Sequence, residues 1–289
     1  MKKKNKEVTI LGGSGYIGSH VADLLSYKGY YVKILDTQKS KWLKNNQKMF
    51  IGSILDKKKL AKAINNSHYV FNFAALANID KASHEPFETA NINILGTINI
   101  LQMCKKFNIK KIIHASSIYA NSEQGGFYGC SKKASEDYVE RFYQKYNLNF
   151  TTLRFGSLYG ERADVDNGLQ KLINLAKTKK KIHYAGTKKA ARRYIHVQDA
   201  AKACFDSIHK KHNNQYLTVT GMHKIKITNV VKIIKNELGI TSKNIKFLNK
   251  KDNTHYINEP KRYKPRQGKK IPIKTNINFK KSIIELLYN

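Results

Sequence analysis

The sequence predicts an α/β protein built on a doubly wound parallel sheet, with a smaller C-terminal substrate-binding lobe. Three observations carry this. Short β-branched and aromatic runs alternate with helical patterns through the first 155 residues. A glycine-rich turn follows the first of those runs and opens the first helical pattern. After residue 160 the alternation loosens, and three of the four prolines (Pro260, Pro265, Pro272) fall near the end of the 289-residue chain. Continuous apolar strands suit a sheet buried on both faces, and regular strand–helix alternation suits parallel pairing.

Taken in order, "EVTIL" (7–11) reads as a strand and "YIGSHVADLLSYKG" (16–29) as a helix. "YYVKILD" (30–36) is a strand, "DKKKLAKAI" (56–64) a helix and "YVFNFA" (69–74) a strand. A long helix is expected over 86–107, a strand over 110–117, a helix over 128–146 and a strand over 150–156. A last helix is expected near "KKSIIELLY". Residues 1–160 form the expected dinucleotide domain, rejoined by about 192–220. Residues 161–289 form mainly the substrate lobe.

Composition narrows the setting. No run of about 18 apolar residues is present, so no membrane span is expected. The start is basic, but its apolar run "VTIL" is too short for a signal-peptide core. The three cysteines (Cys104, Cys130, Cys204) match no metal site or disulfide framework, which points to a reducing cytoplasm. Cys130 reads as a small packing residue. The net charge of +34 allows a polyanionic partner. The lysines are nevertheless spread throughout and accompany many Asn and Ile residues, as AT-rich coding would give. No stripe with interleaved aromatics marks a nucleic-acid face, so nucleic acid is set aside as partner.

"LGGSGYIGSH" (11–20) places Gly12, Gly15 and Gly18 in G-x-x-G-x-x-G spacing between a strand and a helix. Glycine permits the tight turn and lets backbone N–H groups approach a pyrophosphate, while the helix N-terminus adds positive potential. Tyr16 and Ile17 lie in the same turn and are assigned to the same cofactor. Asp36 ends the second strand; a carboxylate there accepts from ribose hydroxyls and repels a 2′-phosphate, favouring NAD over NADP.

Tyr128 and Lys132 stand at i and i+4 near the start of a helix, on one face. An ammonium beside the phenol, with an oxidised nicotinamide, favours the phenolate, which can take a proton from a sugar hydroxyl. Ser117, at the end of the preceding strand, can bond the same hydroxyl.

With these residues in place, the chain resembles the extended short-chain dehydrogenase/reductase family, specifically its NAD-dependent nucleotide-sugar epimerases and dehydratases. The segments that carry the resemblance are 12–18, Asp36, "FNFAALA" (71–77), "NINILGT" (91–97), "ASS" (115–117), "YGCSK" (128–132), "LRFGSLYG" (153–160) and "RRYIHVQDAAKA" (192–203), in the family's order. The resemblance implies a Rossmann-type sheet, a catalytic set of Ser117, Tyr128 and Lys132, and a nucleotide-diphosphate sugar as substrate. It also implies Ala74, Ala75 and Asn93 at the cofactor, Lys132 on the nicotinamide ribose, and Arg192 and Arg266 on the substrate diphosphate. A homodimer through the helices 86–107 and 128–146 and a place in surface-polysaccharide synthesis follow only from the resemblance.

Four departures matter. Leu11 stands where relatives usually have Thr, Ser53 replaces an acid near the adenine, Ser157 replaces a substrate-contacting Asn, and Arg193 replaces an acid. The run from Ser117 to Tyr128 is short and "IYANS" carries no acid. Sugar 4,6-dehydratases usually have Asp-Glu there, to remove the C5 proton and expel the C6 hydroxyl. The remaining expectation is a 4-epimerase working by transient oxidation at C4. A keto-nucleotide-sugar reductase or dehydratase is the alternative within enzymes. A non-catalytic nucleic-acid-binding protein on a dehydrogenase scaffold is the alternative outside them.

Overall fold

The computed structural model describes residues 6–249. The elements in chain order are β1 (Glu7–Leu11), α1 (Tyr16–Tyr27), β2 (Tyr31–Asp36), β3 (Gln47–Ile51), α2 (Lys57–Ile64), β4 (Tyr69–Asn72), α3 (Ile79–His84), α4 (Pro86–Ala90), α5 (Gly96–Lys106), β5 (Lys111–Ser117), α6 (Gly126–Tyr146), β6 (Phe150–Phe155) and β7 (Ser157–Tyr159). They continue with α7 (Gly168–Lys179), β8 (Ile182–Tyr184), β9 (Ala191–Arg192), β10 (Tyr194–His196), α8 (Val197–Asp206), β11 (Gln215–Val219), β12 (Ile225–Lys226), α9 (Ile227–Leu238) and β13 (Ile245–Phe247).

Seven strands form one sheet in the order β11-β6-β5-β4-β1-β2-β3, every neighbour parallel. The chain reverses direction of winding beside β1, where β4 lies on one side and β2 on the other. That places a crevice beyond the carboxyl end of β1, where open α/β sheets bind ligands. Both faces are covered. Val8 and Ile10 pack with Val21 and Leu25 of α1 and with Ala200 and Cys204 of α8. Leu11 and Leu35 pack with Leu60 of α2, Leu101 of α5 and Val139 of α6.

β3 was not among the strands expected from sequence. Its pattern "QKMFI" is only partly buried because it is an edge strand, so it lacks the continuous apolar run of the interior strands. The helix expected over 86–107 is interrupted: a π-helical turn, Asn91–Leu95, separates α4 from α5. β4 stops at Asn72, short of Ala74, because the chain there turns against the glycine loop.

The residues after β7 divide between two cores. α8 packs on α1, and β11 pairs with β6 in the main sheet. α7, β8 and α9 enclose a separate small core of Leu172, Ala176, Ile182, Ala190, Ile227, Val231 and Ile240. The last helix, the late prolines and Arg266 lie outside the described residues. Among the described residues, no helix is long and apolar enough to cross a membrane.

Candidate active site

A cavity of about 710 Å³ opens beyond the ends of β1, β5 and β6. Gly12, Gly15, Tyr16, Ile17 and Gly18 line one part of it. This turn is a cradle that tolerates no side chains at its tight points. A Cβ on Gly18 would lie 2.2 Å from the Gly12 carbonyl oxygen, and one on Gly12 would lie 2.6 Å from the Ala74 backbone nitrogen. Gly12 also has φ +78°, a left-handed conformation that glycine adopts at little cost. The Tyr16 hydroxyl is buried at the turn without a hydrogen-bond partner. Asp36 leans over the turn: its Oδ2 accepts from the Ser14 N–H at 3.0 Å and its Oδ1 from the Gln38 N–H at 3.2 Å. Oδ1 also accepts from Thr37 Oγ1 at 3.5 Å, while Oδ2 retains a lone pair for a ribose hydroxyl. A bare-backbone cradle at a helix N-terminus, with a carboxylate at the next strand end, fits a dinucleotide.

Ser117, Tyr128 and Lys132 line the same cavity. Ser117 ends β5 and caps the short 3₁₀ turn Ile118–Asn121, its Oγ accepting from the Tyr119 N–H at 3.3 Å. The Ser117 hydroxyl also lies close enough to the Tyr128 phenol to favour its ionised form. Close approach of α6 to this turn depends on Gly129, where a Cβ would lie 3.2 Å from the Tyr119 carbonyl oxygen. Lys132 is buried one turn beyond Tyr128; its Nζ donates to the Ala115 carbonyl at 3.0 Å and stands 5.8 Å from the Tyr128 ring centroid.

Burial dominates the electrostatics of the pair. Burial pushes the Tyr128 phenol up to about 12, and the Ser117 hydroxyl opposes it only in part. Burial likewise pulls Lys132 down to about 8, against the Glu136 carboxylate one turn further on. Desolvation is therefore the largest influence on the phenol, and positive charge beside it favours the phenolate against that burial. Glu136 is itself held in a two-pronged pair with Arg154 of β6, at 2.9 and 2.7 Å. This pair was not singled out from sequence, although Glu136 continues the i, i+4 series from Tyr128 and Lys132.

The other assigned residues separate into groups. Ala75, Ser157 and Arg192 line the cavity. Ala74 is not among its lining residues and instead backs the glycine turn. Asn93 does not line it either, contrary to its assignment at the cofactor. Its amide is used inside the protein: Oδ1 accepts from the Leu76 N–H at 2.8 Å, and Nδ2 donates to the Leu76 carbonyl at 3.1 Å and to Ser131 Oγ at 2.9 Å. The π turn leaves the Asn93 carbonyl free to accept from the hydroxyls of Thr97 and Ser135, both at 2.7 Å. Asn93 thus pins the loop after β4 to α6. Ser53 and Asp56 make local turn and helix-cap bonds. Cys130 is exposed rather than packed.

Sequence reasoning missed the acids of the cavity. Asp80, Asp164 and Asp166 line it, together with Asn167, Lys171 and Tyr194. They come from α3, the loop before α7 and the lobe, far in sequence from the Ser117–Tyr128 run, so no spacing rule linked them. Glu123, in that run, is not among the lining residues. No cluster with metal-ligand composition occurs among the described residues.

Comparison with known proteins places this arrangement. A putative UDP-glucose 4-epimerase of Methanocaldococcus jannaschii is 30% identical over 254 residues, covering 80% of this chain and 82% of that protein. A dTDP-D-glucose 4,6-dehydratase of Dictyostelium discoideum is 28% identical, over 71% of this chain and 56% of its own length. Among solved structures, the UDP-glucose 4-epimerase of Thermotoga maritima with UDP-glucose superposes with a TM-score of 0.80 at 26% identity, covering 88% of this chain and 90% of that one. A UDP-N-acetylglucosamine 4-epimerase of Methanobrevibacter ruminantium, in complex with UDP-N-acetylmuramic acid, gives 0.78 at 26% identity, with 87% of each chain covered. The family model described as the NAD dependent epimerase/dehydratase family matches residues 8–217, and this chain, with its glycine cradle and its Ser117–Tyr128–Lys132 cluster on one cavity, belongs to that family.

Proposed function

We propose that this enzyme is a nucleotide-sugar 4-epimerase. The observation that carries the reading is the convergence of Ser117, Tyr128 and Lys132 with the glycine cradle and Arg192 on a single cavity. NAD, when bound, would supply the hydride acceptor at C4 and, once reduced, the donor that restores it, and its positive charge would join the Lys132 ammonium in favouring the phenolate that burial disfavours. Tyr128 takes the C4 hydroxyl proton as the C4 hydrogen leaves, and returns it to the 4-keto oxygen after the sugar has turned over. Ser117 holds the same oxygen. Arg192 suits the diphosphate because its planar fork donates two bonds at once.

The 3₁₀ turn after Ser117 carries no carboxyl group. That supports epimerisation over elimination. The acids that line the cavity sit on other elements, and Asp166 is already engaged by Asn78 at 2.8 Å and Lys171 at 3.3 Å. A second copy of the chain is the proposed partner. α4, the π turn and α5 run end to end and pack beside α6, leaving Phe87, Leu95 and Tyr138 exposed, apolar surface that a dimer would cover.

The test is a screen of UDP-, GDP- and CDP-sugars followed by NMR. Interconversion at C4 without added cofactor is the expected result; no turnover with any of them overturns the epimerase reading.

A further inference from the structure

The segment 160–167 joins β7 to α7 and is fastened to the dinucleotide half at both ends. Near its start, the Glu161 carbonyl accepts from His20 Nε2 at 3.0 Å, and Arg162 donates to Asp23 Oδ2 at 2.7 Å. The Arg162 guanidinium also lies 5.1 Å from the Trp42 ring centroid. Near its end, Asp166 Oδ2 accepts from Asn78 Nδ2 at 2.8 Å.

The anchors straddle one place. Trp42 follows β2 and Asn78 follows β4, the two strands that flank β1. The glycine turn at the end of β1 therefore lies between them. Asp164, midway along the segment, lines the same cavity as Gly12, Gly15 and Tyr16. Arg162 holds a left-handed backbone, φ +64°, which a long side chain rarely adopts and which costs about 1–3 kcal/mol. Its contacts to Asp23 and Trp42 offset that strain.

We propose that residues 160–167 form a clasp over the bound dinucleotide, with Arg162 on Asp23 and Asp166 on Asn78 as its two fastenings, and that the clasp retains the cofactor between the two hydride transfers. The inference rests on the 4-epimerase reading. Epimerisation returns the hydride from the same nucleotide that removed it, so escape of that nucleotide would strand the keto sugar. An enzyme that consumes the cofactor as a co-substrate needs the opposite, a free exit.

The full-length protein is loaded with NAD and passed through a desalting column, and the NAD remaining per chain is followed with time. Arg162→Ala removes the first fastening. Asn78→Asp opens the second by setting a carboxylate against Asp166, while keeping the oxygen that caps α3 through the Lys81 N–H. Each variant is expected to release NAD about tenfold faster, the loss of one charge-assisted contact, and Arg162→Lys to fall between Arg162→Ala and wild type. Release within about twofold of wild type in both variants, with turnover retained, overturns the clasp. Wild-type protein that holds no NAD overturns the dinucleotide reading, and the clasp with it.

Discussion

The glycine-turn side and the small lobe shape the cavity by different means. In the first, the backbone does the shaping: Gly12 and Gly18 leave gaps that a single methyl group would close, and the loops are braced by the large double-faced core. In the second, side chains line the cavity: Leu172, one of the seven buried residues of a small core, together with Tyr194 and Arg192. A backbone cradle admits one shape of ligand and tolerates little substitution. A side-chain wall on a small core can change composition without unfolding the sheet.

The largest expected effect tests the chemistry where the halves meet. Tyr128→Phe should lower kcat by about 10²–10⁴-fold, as loss of a general base does, while NAD retention and thermal stability stay near wild type. Substrate-dependent NMR turnover and a melting curve check both parts.

Next in size, Leu172→Ala should destabilise the lobe by about 2–5 kcal/mol, because Leu172 is only 4% exposed in a core with few neighbours to fill the gap. KM for the nucleotide sugar should rise with NAD affinity unchanged, measured by calorimetric titration of each ligand. Equal loss of both affinities would break the comparison.

Two glycines sharpen it further. Gly18→Ala should cost about 1–3 kcal/mol and abolish NAD binding, since its methyl group meets the Gly12 carbonyl at 2.2 Å. Gly168→Ala, at the first turn of α7 with nothing within 4 Å, should change stability by less than about 0.5 kcal/mol. Paired thermal melts and NAD titrations decide it.

The smallest effect concerns pH. Lys132, pulled down to about 8 by burial, carries its charge below that value and loses it above. The Glu136 carboxylate opposes the drop, so Glu136→Gln should move the alkaline limb of kcat/KM to lower pH, by about half a unit to one unit. Movement in the other direction, or none, removes Glu136 from the tuning of Lys132.

Much of the fold was legible because its signals are local. The interior strands are unbroken apolar runs, the glycine turn sits between a strand and a helix, and Tyr128 and Lys132 share a helical face. β3 was missed because an edge strand buries too little to show such a run. The interruption of the long helix at Asn91–Leu95 was missed because the hydroxyls that satisfy the π turn come partly from α6, at Ser135.

By itself, then, the sequence determined the alternation of interior strands and helices, the glycine turn between a strand and a helix, and the placing of Tyr128 and Lys132 on one helical face, since each depends on spacing within one or two adjacent elements. Only the tertiary structure decided the rest. It turned Asn93 inward to pin the loop after β4, brought Asp80, Asp164 and Asp166 to the cavity, and fastened the segment 160–167 on either side of the glycine turn. It also set the Tyr128 phenol above its ordinary range. Burial and contacts between distant segments decide these features, and both exist only once the sheet has assembled and water has been excluded from its edge.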